Sequence, residues 1–258
     1  MNPDLARRLV AELVGTGALV AVVVGSGIMG QQLSDDVGLQ LLYNSTATVF
    51  GLTALILVFG PTSGAHFNPV VSAADWLFGR LGGGGPASGA LTGREVGLYS
   101  VAQVVGAIGG AVLANLMFDV PVTELATTDR SDPRLWLSEV VATVGLVTLI
   151  FALVRTGRGV LAAPAVGIYI GAAYWFTSST SFANPAVTIG RVFSDTFAGI
   201  QPFSVPAFVV AQVIGALLAV GLVRFLHPDL GTPGDTSLED VVVPSEHDQH
   251  SHDPKDAA

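Results

Sequence analysis

The chain has 258 residues, 50% of them apolar and only 12% charged, with a formal net charge of −9. The charged fraction is about half that of a soluble globular protein, and the apolar residues run in blocks without period-2 or period-3.6 breaks, which argues against a soluble enzyme and for lipid as the solvent. Cysteine is absent, so disulfides, thiolate catalysis and Cys-ligated metal sites are excluded, and much of the acidity sits beyond His227, where it describes a tail rather than a partner.

Six stretches are apolar for the roughly 20 residues that a helix needs to cross a bilayer: 9–30, 39–60, 96–118, 135–154, 160–178 and 203–226. Helical structure satisfies their backbone polar groups internally. Arg7 and Arg8 before the first stretch imitate a signal peptide, yet Glu12 lies inside it and five more spans follow, so it reads as a retained span. Two further pieces, 61–79 and 179–194, are moderately apolar and too short to cross. Each contains an Asn-Pro pair, Asn68-Pro69 and Asn184-Pro185, and proline just inside a helix start is well placed because its missing N–H would be unpaired anyway. Both pieces read as re-entrant half-helices. If the N-terminus is cytoplasmic, Arg7, Arg8, Arg80, Arg94, Arg155, Arg158, Arg224 and Lys255 are inside and only Arg130, Arg134 and Arg191 outside, which favours both termini in the cytoplasm and a cell inner (plasma) membrane location. From residue 229 to 258 the chain is acidic, rich in Pro, Gly, Ser and His, and is expected to be a disordered cytoplasmic tail in which His247, His250 and His252 are solvated and hold no fixed metal.

The sequence repeats itself. Glu12-Leu-Val-Gly-Thr-Gly-Ala-Leu-Val20 matches Glu139-Val-Val-Ala-Thr-Val-Gly-Leu-Val147, and Ala102-Gln103-Val-Val-Gly-Ala107 reappears as Ala211-Gln212-Val-Ile-Gly-Ala216, with an Asn-Pro segment between the paired marks in each half. Each half has three spans, an odd number, so the second enters the membrane in the opposite sense and the repeats are inverted. Their half-helices then come from opposite faces and meet near the midplane. Non-helical backbone is tolerated there where it lines a water-filled cavity, so a central pore follows.

The segments Ser63-Gly-Ala-His-Phe-Asn-Pro-Val70 and Ser181-Phe-Ala-Asn-Pro-Ala186, with a glutamate in the first and fourth spans and a glutamine in the third and sixth, resemble the aquaporin (major intrinsic protein) family over about residues 7–226. The fold class expected is therefore an all-α membrane protein of six transmembrane helices plus two re-entrant half-helices, with residues 1–228 forming the channel domain. Val70 departs from the usual Asn-Pro-Ala and should alter packing between the half-helices more than chemistry. The resemblance assigns the pore lining to Asn68, Pro69, Val70, Asn184, Pro185 and Ala186. It assigns loop support to Glu12 and Glu139, which would accept backbone N–H bonds; His66, beside Asn68, is grouped with this loop support and reads either as a pH gate or as a wall residue that merely hydrogen-bonds. Two helix N-termini at the midplane repel cations, while neutral solutes are spared that penalty. A homotetramer with one pore per protomer is implied by resemblance alone, and no cofactor, resident metal or nucleic acid is expected.

In the family an outer constriction carries an arginine three residues after the second asparagine; here that residue is Val187. Counting back from the two asparagines places Thr48 and Ala172 at the positions that the family fills from its second and fifth spans, with Ser181 or Phe182 from the loop. A filter of Thr48, Ala172, Ser181 and Val187 would be wide and uncharged; Phe50, Phe182 and Arg191 are the residues that could narrow it. Together with the flanking motifs this pattern resembles a bacterial aquaporin subgroup linked to arsenic detoxification, which implies arsenite or methylated arsenicals, polyols such as glycerol, and water as candidate solutes. The alternatives are a water-selective aquaporin and, from another class, a secondary transporter, which would need an ion-coupling site that the sequence does not offer beyond Glu12 and Glu139. A membrane-embedded enzyme would need a nucleophile or metal constellation, and the sequence assembles neither.

Overall fold

The computed structural model describes residues 3–82, 90–122 and 124–227; the acidic stretch 229–258 lies outside the described residues. Eight α-helices follow one another along the described chain: α1 (Pro3–Leu33), α2 (Val37–Ser63), α3 (Pro69–Leu81), α4 (Gly93–Met117), α5 (Pro133–Arg155), α6 (Ala162–Phe176), α7 (Pro185–Gly190) and α8 (Val205–Leu226). Short 3-10 turns precede α6 and α8 and follow α7. Six helices, counting the 3-10 turns that lead into α6 and α8, are long and apolar enough to cross a membrane, with mean hydropathy between 1.5 and 2.3. They coincide with the six apolar stretches of the sequence. Large apolar side chains such as Val10, Phe50, Leu57, Val101 and Leu217 are exposed around the bundle, which suits lipid rather than water.

The two short helices are the half-helices. Asn68 caps α3 by accepting from the Val70 amide, Asn184 caps α7 by accepting from the Ala186 and Val187 amides, and a proline occupies the first turn of each. A helix of 13 residues, as in α3, spans about 20 Å, less than a hydrocarbon core. Asp132 caps α5 by accepting from the Arg134 amide. The neighbouring Arg134 guanidinium holds the Asp132 carboxyl down to about 2.

The chain starts α1 on one face of the bundle, here the N-terminal face, and the loop 64–68 dips in from that face while α3 returns to it. The loop 177–184 dips in from the opposite face and α7 returns there. Packing obeys the same two-fold relation: α1 lies on α4 as α5 lies on α8, and each half-helix touches the last long helix of the other repeat, α3 on α8 and α7 on α4. The α1–α4 crossing depends on Gly106 and Gly110. A Cβ at either would collide with the backbone carbonyl of Leu13 or Gly17, and Gly215 on α8 faces the Val140 carbonyl of α5 in the same way. This is the small-xxx-small packing that lets membrane helices approach closely.

Candidate functional site

Both re-entrant loops are held in a conformation that L-residues resist. Gly64, Ala65 and Phe67 in the first loop have φ of 81°, 48° and 48°, and Thr180, Ser181 and Ala183 in the second have 62°, 52° and 48°. Each non-glycine residue in that region costs about 1–3 kcal/mol and persists only where its surroundings enforce it. Glu12 and Glu139, both 0% exposed, supply the enforcement. The Glu12 carboxylate accepts from the Ser63 hydroxyl at 2.7 Å, the His66 and Phe67 amides at 2.9 and 2.7 Å, and the Gln103 amide at 2.7 Å. Glu139 does the same in the second repeat, from the Ser179 hydroxyl at 2.7 Å, the Phe182 and Ala183 amides at 2.9 and 2.8 Å, and Gln212 at 2.6 Å. A buried carboxylate is tolerable because every lone-pair direction is used.

The glutamines complete the frame, since the Gln103 amide also donates to Ser72 on α3 at 3.1 Å and Gln212 to Thr188 on α7 at 2.9 Å. Each loop is thereby tied to its own half-helix. The repeats are tied to each other by the asparagines: Asn68 donates through Nδ2 to the Ala183 carbonyl at 2.8 Å, and Asn184 to the Phe67 carbonyl at 2.7 Å. With Oδ1 spent on capping and one N–H spent on this crossing, each amide keeps a second N–H, and both residues line a cavity between the repeats.

That cavity is walled on the apolar side by Leu19, Val23, Leu52, Ile56, Leu146, Ile150, Val166 and Ile170, and on the polar side by residues 64–68 and Asn184. His66 lines it with its Nδ1 3.0 Å from the Ser72 hydroxyl. Thr48, Tyr174, Phe182 and Val187 also line it, and the Thr48 and Tyr174 hydroxyls lie 3.2 Å apart. No charged side chain is among the lining residues.

The wall departs from the sequence-based expectation at six residues: Ala172 and Ser181 of the expected filter, and Pro69, Val70, Pro185 and Ala186 of the expected pore lining. Ala172 is exposed on the outward face of α6 and is not in the wall, and Tyr174 stands there instead. Counting back twelve from Asn184 assumes a loop two residues longer than 177–183, and two residues along a helix turn the side chain about 200°. Ser181 is buried with positive φ but does not line the cavity, which receives Phe182. Phe50 is 70% exposed and points away from the pore. Pro69, Val70, Pro185 and Ala186 lie at the half-helix starts outside the wall, Val70 and Ala186 being buried in the contact between repeats.

Two arginines stand behind the wall. Arg191, in the 3-10 turn after α7, is buried with its guanidinium carbon 3.4 Å from the Phe182 ring centroid, and its Nε donates to the Ala198 carbonyl. Arg130 reaches in from the loop between α4 and α5. Its guanidinium lies 4.9 Å from the same ring and donates to the Gly199 and Ser179 carbonyls at 3.0 and 3.4 Å. Nothing in the sequence spacing marks Arg130 for this place, because 52 positions separate it from Phe182.

The sequence model of the family described as Major intrinsic protein matches residues 1–183 and, separately, residues 176–255. The chain belongs to the major intrinsic protein family. It is 51% identical over 224 residues to the aquaglyceroporin AqpS of Rhizobium meliloti (strain 1021), covering 86% of this chain and 91% of that protein. The propanediol uptake facilitator PduF of Citrobacter freundii is 30% identical over 266 residues, covering 88% of this chain and 94% of its own length. The X-ray structure of the aquaglyceroporin from Plasmodium falciparum has the same fold, with a TM-score of 0.65 at 20% identity over 87% of this chain and 98% of that one. This major intrinsic protein is therefore a multi-pass membrane channel for small neutral solutes and not an enzyme. The paired carboxylates, which could serve as acid and base in a catalyst, here face backbone amides instead of a substrate.

Proposed function

We propose that the chain is a passive channel of the glycerol-conducting type whose constriction is formed by Thr48, Tyr174, Phe182 and Val187. The observation that carries this reading is Val187: it lines the cavity where the family resemblance expects arginine, so the wall offers the solute neither a charge nor extra donors at that point. Asn68, Asn184 and the carbonyls of residues 64–66, which line the cavity, replace hydrogen bonds that a hydroxylated solute loses on leaving water, and the apolar wall opposite passes its carbon skeleton. Pro69, Val70, Pro185 and Ala186 set the junction from which the asparagines project. The names of two relatives, an aquaglyceroporin and a propanediol facilitator, support a polyol-sized solute. Arsenite, a neutral trihydroxy species near pH 7, presents hydroxyls in a polyol-like way and is proposed as a second permeant. The excess of basic residues on the N-terminal face supports an orientation with both termini in the cytoplasm and a location in the inner (plasma) membrane, and we propose residues 1–228 as the channel domain with 229–258 as an appended tail. A homotetramer is proposed by family resemblance.

Tyr174 and Phe182 favour a second reading, since two rings at the lumen narrow it toward water selectivity. Liposome permeation of water, glycerol and arsenite, compared between the parent, Val187→Arg and empty vesicles, separates the two. The wide-filter reading expects glycerol and arsenite to pass the parent and to be blocked by arginine while water persists. A parent that passes water alone establishes the narrow reading.

A further inference from the structure

We propose that Arg130 and Arg191 make the outer mouth cation-tight by holding two positive charges behind the Phe182 ring, outside the lumen. Two observations carry this. Both guanidiniums contact one ring, at 4.9 and 3.4 Å from its centroid, and that ring is part of the cavity wall. Neither has a carboxylate within 4 Å among the described residues. The Asp129 carboxylate beside Arg130 in sequence turns instead to Ser131, Gln201 and Ser204, so no ion pair offsets either guanidinium at the ring. The pseudo-symmetric mouth is built differently, because Arg8 there pairs with Glu95 at 3.3 Å and lies over the Tyr99 ring at 5.4 Å.

Burial of a charge, as at Arg191, is expensive and is retained where it acts on something. Carbonyl bonds to residues 179, 198 and 199 account for the donors but not for the charge, since a neutral amide donates as well. In a low-dielectric wall the field of two guanidiniums reaches the lumen little weakened, whereas their N–H groups bond to loop carbonyls. The lumen thus receives a positive potential without donors aimed into it. Such a mouth discriminates by charge and not by hydrogen-bonding capacity, which suits a constriction that lacks arginine at position 187. The proposal rests on the reading that neutral solutes pass this cavity.

The test uses the full chain in liposomes loaded with a pH-sensitive dye, with urea flux followed in parallel. Arg130→Gln/Arg191→Gln keeps amide donors for the carbonyls and removes both charges. Proton and guanidinium leak should rise on the order of tenfold or more while urea flux is kept. Arg191→Lys keeps the charge and loses the planar stack, and should stay tight. Arg130→Gln alone, at the half-exposed and more distant site, leaves the buried Arg191 packing in place and should show a smaller rise in leak. In the parent, urea should pass and guanidinium, its planar charged counterpart, should not. A double variant that conducts urea yet leaks no more than the parent overturns the proposal. So does an Arg191→Lys variant as leaky as the double variant, or a parent that passes guanidinium as fast as urea. Absence of urea flux in the parent itself would instead refute the neutral-solute reading on which the proposal stands.

Discussion

Glu139 accepts four hydrogen bonds, two of them from amides of residues in or beside positive φ. Glu139→Gln leaves two of the four facing a donor instead of an acceptor, because each carboxylate oxygen accepts two of the bonds. An unpaired buried donor costs about 1–3 kcal/mol, more beside charge. The variant should therefore lose several degrees of thermal stability in detergent and most solute flux, and Glu12→Gln should behave alike because its four partners are equivalent. Stability and flux that survive either substitution would show that the loops are held by other means. At this scale the sequence was legible where the chain is tightly constrained. The two glutamates, two glutamines and two asparagines stand out as charged or polar residues in apolar surroundings, repeated at matching positions. Tyr174 was not legible, because the register of the wall depends on the length of the loop after α6, and a two-residue error moves the side chain to the far side of the helix. Arg130 was hidden for a different reason: it reaches the site from a loop through tertiary contacts that leave no periodic mark.

Among the elements, the close crossing of α1 and α4 is the most sensitive to side-chain volume. Gly106→Val places two methyl groups against the Leu13 carbonyl, with α1 unable to retreat without dragging Glu12 away from the first loop. Overpacking of this kind costs about 1–3 kcal/mol or more, and here it should appear as poor membrane accumulation and lost flux together. Gly109, on the same helix but with open space around it, is the control: Gly109→Ala should accumulate and conduct as the parent does. Hydropathy found all six long helices because lipid demands long uninterrupted apolar stretches, the strongest constraint that a sequence can carry. The half-helices were found for a more specific reason. Asn-Pro supplies both a cap and a first-turn proline, so each start is written in two adjacent residues.

For the whole molecule, the two-fold arrangement separates a channel from a carrier. A secondary transporter needs a site that binds a coupling ion and a bundle that rocks about it. Here Glu12 and Glu139, the carboxylates behind the two dipped loops, are each saturated by four protein donors, and the repeats are cross-bonded through Asn68 and Asn184 at the very point where a rocking interface would have to part. Solute flux in liposomes should accordingly be equal in both directions, rise linearly with concentration well beyond millimolar levels, and be indifferent to an imposed sodium or proton gradient. Saturation together with gradient dependence would restore the carrier.

The cross-bonds also bear on how the chain is made. α3 lies against α8, and Asn68 finds its carbonyl partner only in residue 183. A ribosome delivering the protein from its N-terminus releases the first half-helix long before the last span exists. Until then the dipped loop 64–68 has Glu12 to hold its shape but nothing opposite to close against. Completion of the pore is therefore a late step of biosynthesis: the cross-bonds wait for Ala183 and Asn184, and α3 gains its packing on α8 last of all.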